Sequence, residues 1–289
     1  MKPRIIGIII LALAITAYFF KISGAKLLAV IGAILIISPT KHSQEMLKLC
    51  IQSIKRWKTI ILTALYDAVF WLITAGILFV FIKWESLKSV QAQATIKLTS
   101  EALIQTELLQ QNVSGLQSFL IYSLIAGLIV ITICLAIYTI SRALIWTNIS
   151  KQKLTKKFFL KFLGLNAIWW LIWLPIYFLI GVAAAKAGTK IVILLLFAIT
   201  AYFTPILHTL FTKKQLIGHS LGHGIAYGIT KFYKLIVPIT YALIIYIIIY
   251  QPFRLLQNTK FYQAATILLV VIYLAWLRTY LYEAIKKFE

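Results

Sequence analysis

Seven carboxylates stand in this chain, and only Asp67 falls inside a long apolar run. A charge at bilayer depth costs about 2.5 to 3.5 kcal/mol on insertion scales, so such a group needs either a task or a partner. Carboxylates in that position relay protons or cations, anchor a bound headgroup, or tie neighbouring helices together by hydrogen bonds. Thr63, Asp67, Trp71 and Thr74 recur at spacings of three and four, a stripe that should face other helices rather than lipid. Asn166, His208, Thr240 and, reaching in from the interface, Arg142 or Arg278 lie at comparable depth on other runs. The expected site is a polar intramembrane cluster of Asp67, Thr63, Thr74, Asn166, His208 and Arg142.

Other spacings carry less chemistry. His219 and His223 sit one helical turn apart and could share a metal ion. The metalloprotease form of that pair has Glu where Ser220 stands, and no carboxylate is close in sequence to complete the site. Gly218-His219-Ser220-Leu221-Gly222 spells a serine-hydrolase nucleophile elbow, which requires a preceding strand and then an acid followed by a histidine. Only Glu283 and Glu289 follow, with no His beyond them. No metal, cofactor or catalytic residue is expected. Gly218, Gly222, Gly224 and Gly228 instead offer small-residue faces for close helix packing.

The elements that must position these residues are long and apolar. A helix rises 1.5 Å per residue, so about 20 apolar residues cross a hydrocarbon core about 30 Å thick. Such runs occur at 5–20, 27–38, 60–82, 119–140, 165–184, 191–210, 235–250 and 264–277. Pro175 and Pro205 should kink the fifth and sixth. Hydrophobic residues make up 62% of the chain and mean hydropathy is +0.93, against roughly 45 to 50% apolar in a soluble domain. The fold class is an all-α, polytopic transmembrane bundle of about eight helices. Residues 1–40 read as a retained N-terminal hydrophobic hairpin, a re-entrant pair being the alternative, and 41–289 as a six-helix membrane domain.

Net charge is +22, from 29 Lys and Arg against 7 Asp and Glu. On a soluble protein that excess would suggest nucleic acid, but here the cations cluster in short segments beside apolar runs. In the eight-helix arrangement 20 fall on one side and nine on the other, which places both termini in the cytoplasm. The external side then carries one long segment, 83–118. Ser100 has the form of an N-cap followed by Glu101, predicting an amphipathic outer helix through Leu109 to near Asn112, where Asn112-Val113-Ser114 is a formal glycosylation sequon. On the inner side, Lys151, Lys153, Lys156, Lys157 and Lys161 alternate with Leu154, Phe158, Phe159 and Leu160, predicting a basic interfacial helix over 146–162. With Lys213 and Lys214 these lysines form a face for anionic headgroups or a protein partner. Cys50 and Cys134 should not meet as a disulfide.

The order from Ile60 to Lys287 is helix, outer segment, helix, basic amphipathic segment, two helices, Gly-rich basic connector and two more helices. It resembles poorly characterised multi-helix proteins grouped with the membrane domain of glycerophosphodiester phosphodiesterases. The resemblance covers about three quarters of the chain, brings no catalytic motif, and implies membrane residence and lipid-linked work. The functional expectation is a non-enzymatic transporter or channel-like component, or a lipid-binding scaffold. The alternative is a membrane-protein assembly factor whose basic face contacts a protein or ribosomal RNA. Expected partners are membrane lipids with anionic headgroups and a protein partner or second copy; nucleic acid enters only as a ribosome contact.

Overall fold

A computed structural model describes residues 41–100, 106–183, 189–254 and 261–289. The expected hairpin of 1–40 lies outside the described residues. The rest forms eight helices: α1 (Lys41–Ile54), α2 (Trp57–Ser100), α3 (Thr106–Ser150), α4 (Lys156–Ala183), α5 (Thr189–Lys214), α6 (Ile217–Thr230), α7 (Phe232–Arg254) and α8 (Tyr262–Phe288). All but α1 and α6 contain stretches long and apolar enough to cross a membrane. The protein is an all-α, polytopic membrane protein. At most 28% of any of those apolar windows is buried inside the protein, and many large apolar side chains along them, such as Leu72, Ile129, Leu171 and Phe197, are exposed. That inversion suits hydrocarbon, where only a helix can satisfy its own backbone hydrogen bonds.

The chain divides into two compact units, the boundary falling within α2 after Leu65 and within α3 before Ala143. In the larger unit α8 packs on α1, α5 and α7, while α5 also packs on α4 and α6. Its cores join residues far apart in sequence. Cys50, Ile60, Ala64 and Ala242 surround Ala275, Trp276 and Tyr280, and Ile206, Leu210, Tyr227 and Leu235 enclose Ile285. The smaller unit is formed by the remaining parts of α2 and α3.

α1 is held by polar contacts as well as by Met46. Tyr280 Oη donates to the Met46 carbonyl at 3.2 Å, Trp276 Nε1 donates to Ser53 Oγ at 2.8 Å, and Lys287 pairs with Glu45 at 2.9 Å. The Lys287 hydrogen bond and then its charge hold the Glu45 carboxyl below the usual carboxylate range, so that pairing weakens only as pH falls through the lowered value. Cys50 and Cys134 are free thiols. Burial pushes the Cys50 thiol up and keeps it protonated.

Two stretches depart from the sequence expectation. In place of a separate outer helix starting at a Ser100 cap, α2 runs through Ser100 and α3 begins at Thr106, taking in the Asn112 sequon; 101–105 lies outside the described residues. Good helix formers such as Glu85, Leu87 and Lys88 carry α2 onward, and Leu108, Leu109 and Gln110 do the same near the start of α3. The expected basic helix over 146–162 is broken instead. α3 stops at Ser150 because Lys151 takes a left-handed φ of 58°. Gln152 N–H then donates to Thr147 O at 2.9 Å and Lys151 N–H to Asn148 O at 3.3 Å, the paired bonds of a Schellman ending. α4 restarts behind Thr155, whose Oγ1 accepts the Phe158 N–H at 3.1 Å as an N-cap.

α6 lies against α5 through glycine. A Cβ on Gly228 would stand 2.5 Å from Phe203 Cε1, and one on Gly224 2.5 Å from Leu207 Cδ2, whereas Gly218 and Gly222 meet nothing within 4 Å. Gly228→Val is expected to destabilise the protein by about 1 to 3 kcal/mol, seen as a lower melting temperature in detergent. Gly222→Ala should be neutral or slightly stabilising, because it gains helix propensity without a clash.

Candidate functional site

An ion pair is buried in the smaller unit. Asp67 on α2 is 2% exposed and Arg142 on α3 is 6% exposed, and Arg142 Nη1 donates to Asp67 Oδ1 at 2.7 Å. The guanidinium also lies 5.4 Å from the Phe70 ring centre and 5.0 Å from that of Tyr138, the two rings meeting edge to face. Spacings of three and four put Asp67 and Phe70 on one helix face and Tyr138 and Arg142 on the other, so the charge pair is walled by aromatic rings. Ser141 Oγ donates to the Tyr66 carbonyl alongside. Thr74 and Thr139 are buried in the same unit, each with a hydroxyl lacking a hydrogen-bond partner among the described residues.

The larger unit holds the other members of the expected cluster. Asn166 and His208 are buried and hydrogen-bonded at 2.9 Å through His208 Nε2 and Asn166 Oδ1. Asn166 Nδ2 donates to the Phe162 carbonyl, and Trp146 and Phe162 flank the imidazole. Thr63 accepts from Asn148 Nδ2 at 3.4 Å. Thr240 bonds within its own helix to Ile236 O. The hydrogen bonds thus join Asp67 to Arg142, Asn166 to His208 and Thr63 to Asn148, with the first pair in one unit and the other two in the second.

No family model, curated protein or solved structure matches the chain. What the polar groups do must come from their own geometry.

Lys151 and Lys153 lie in the link between α3 and α4, and Lys156 and Lys157 open α4, all four exposed. Lys161 Nζ donates to the Gln215 carbonyl at 3.2 Å. Lys213 pairs with Glu289, and Lys214 is exposed. His219 and His223 stack with ring centres 4.9 Å apart. Ser220 is buried within α6, its hydroxyl donating to the Leu216 carbonyl, a geometry unlike a strand-to-helix elbow. Among the described residues no three His, Cys, Asp or Glu side chains gather to hold a metal ion.

The residue missed in sequence is Arg56. Placed in the turn between α1 and α2, it donates from Nη1 to Glu283 and from Nη2 to the Ile149 carbonyl at 2.8 Å. Its partners are 227 and 93 positions away, beyond the reach of local pattern. The available signal was weak: Glu283 is one of only seven carboxylates, among many cations.

Breaking a buried pair strands the remaining charge, whereas replacing both partners with apolar side chains does not. Arg142→Met is therefore expected to destabilise by about 3 to 5 kcal/mol. Asp67→Leu combined with Arg142→Met should recover most of that loss, as a thermal-unfolding double-mutant cycle in detergent would show.

Proposed function

We propose that this protein is a non-enzymatic, lipid-binding scaffold of the membrane. The observation that carries the reading is a groove of about 320 Å³ between α5, α7 and α8. Ala198, Ala201, Leu235, Leu243, Leu277 and Ile285 are among its lining residues, nearly all of which are apolar. Each of its three walls belongs to a helix long and apolar enough to cross a membrane, so the groove opens at hydrocarbon depth. Its size falls at the lower end of the roughly 300 to 1,000 Å³ typical of small-ligand pockets, and its chemistry matches an acyl chain. Pro205 lines the groove and has no N–H to give the Ala201 carbonyl, which loosens α5 beside the cavity.

The paired charges favour a scaffold over a transporter. Asp67 is engaged by Arg142 between two rings, an arrangement suited to locking α2 onto α3. Lys156 and Lys157 occupy the first turn of α4, where the helix dipole disfavours cations. Anionic headgroups would offset that cost, at about 1 kcal/mol per lysine near the surface. In this reading the basic ends of the helices face the cytoplasm. The resemblance to the phosphodiesterase membrane domain points to the same lipid-linked setting.

A phospholipid with a photoactivatable acyl chain, incorporated with the protein in neutral micelles, should label the α5 and α7 segments that line the groove. Ala201→Trp, at an exposed groove position, should reduce that labelling several-fold without lowering the melting temperature. Unchanged labelling in the variant, or labelling spread evenly over all apolar helices, would refute the reading.

A further inference from the structure

A second cavity, about 310 Å³, lies in the larger unit where the α1–α2 turn meets the end of α3 and the last turns of α8. Its character is opposite to that of the groove. Arg56, Lys151 and Lys286 line it together with Ser150, Tyr282 and Glu283. The two cavities use different faces of α8. Tyr273, Leu277, Leu281 and Ile285 recur every four residues along the groove, while Tyr282, Glu283 and Lys286 form a separate stripe.

The basic groups here are only partly committed. Arg56 is half-buried and fixed by Glu283 and the Ile149 carbonyl, which uses two of the five guanidinium N–H donors. Lys151 and Lys286 are exposed at the rim, and neither ammonium has an ion-pair or hydrogen-bond partner among the described residues. Three cations against one carboxylate leave a local charge of about +2, which complements a phosphomonoester at about −1.5 to −2 better than a phosphodiester. Lys151 also holds a left-handed φ of 58°, a conformation that glycine adopts without strain and lysine does not. Glycine would complete the same helix ending but would leave no ammonium at the cavity.

We propose that Arg56, Lys151 and Lys286 form a phosphate-binding site, selective for a dianionic phosphomonoester carried by a lipid headgroup or free in solution. Arg56, held rigidly, supplies a planar fork of donors. The two lysines supply mobile charge. Protonation of the phosphate to its monoanion, with a second pKa of about 6, removes the charge match, so affinity falls on acidification below that value.

The test titrates the full chain in neutral detergent with short-chain phosphatidate, short-chain phosphatidylglycerol and inorganic phosphate. Phosphatidate is expected to bind about tenfold or more tightly than phosphatidylglycerol, and Lys151→Gly or Lys286→Gln should each lose about tenfold, the value of one charge-assisted hydrogen bond. Lys151→Gly relieves the backbone, so it should fold at least as well as the parent. Lys48→Gln, exposed on α1 and outside the cavity, should bind like the parent. If inorganic phosphate displaces phosphatidate, the site takes free phosphate; if it does not, the site reads the headgroup on its lipid. Equal affinity for the two lipids, parental binding by Lys151→Gly, or an equal loss in Lys48→Gln would overturn the proposal. Loss of the preference for phosphatidate with groove labelling by the neutral phospholipid intact is failure of this site alone, separating it from failure of the groove.

Discussion

A peptide group in hydrocarbon has no water to bond to, and this constraint governs the rest of the structure. It forces the apolar segments into helices that satisfy themselves, and it lets their outward faces carry leucine, isoleucine and phenylalanine in quantities a soluble protein could not expose. It also sets a rule for polar side chains. At depth they need partners, and the partners must come from an adjacent helix or from the residue's own turn.

Most of the polar groups obey that rule, in two ways, with the buried Thr74 and Thr139 hydroxyls as exceptions among the described residues. Threonines and serines mostly return a hydrogen bond to a carbonyl three or four residues back, as Thr132, Thr147, Thr204 and Thr209 do. Groups of larger cost are paired across helices: Asp67 with Arg142 and Asn166 with His208. Such pairs add less to net stability than their Coulomb energy suggests, since desolvation opposes it. Their effect is register. Arg142 can meet Asp67 between Phe70 and Tyr138 at only one vertical setting of α2 against α3. Toward the end of α8 the pattern changes, with Arg56, Glu283, Lys213, Glu289, Lys287 and Glu45 forming a looser, half-exposed set.

Local information was enough for the spans. The runs at 60–82, 119–140, 191–210, 235–250 and 264–277, and the run from 165 as far as Ala183, fall within the six apolar helices, because about 20 consecutive apolar residues are a signal complete in themselves. Of the stripe containing Asp67, the helical spacing correctly placed Thr63, Asp67 and Thr74 inside, but Trp71 is 54% exposed and turns away from the other three; a buried Arg142 was legible as one candidate partner of Asp67. Element ends were not. The break at Lys151 and the cap at Thr155 depend on a left-handed lysine and one threonine, neither of which stands out within a lysine-rich run. α1 was invisible because its short amphipathic pattern makes sense only once Tyr280, Trp276 and Ala284 of α8 are present to receive it. The polar cavity escaped for a similar reason: Arg56, Lys151 and Lys286 are scattered in sequence and converge only through packing.

The claim on which all of this rests is that the chain is solvated by lipid. Alkaline carbonate extraction of membranes from cells producing the full protein tests it most directly, since high pH strips proteins held by charge and leaves those held by buried apolar helices. The chain is expected to remain with the membrane pellet and to be released only by detergent. Its appearance in the carbonate supernatant as a folded, dispersed protein would contradict the assignment of its helices to the bilayer.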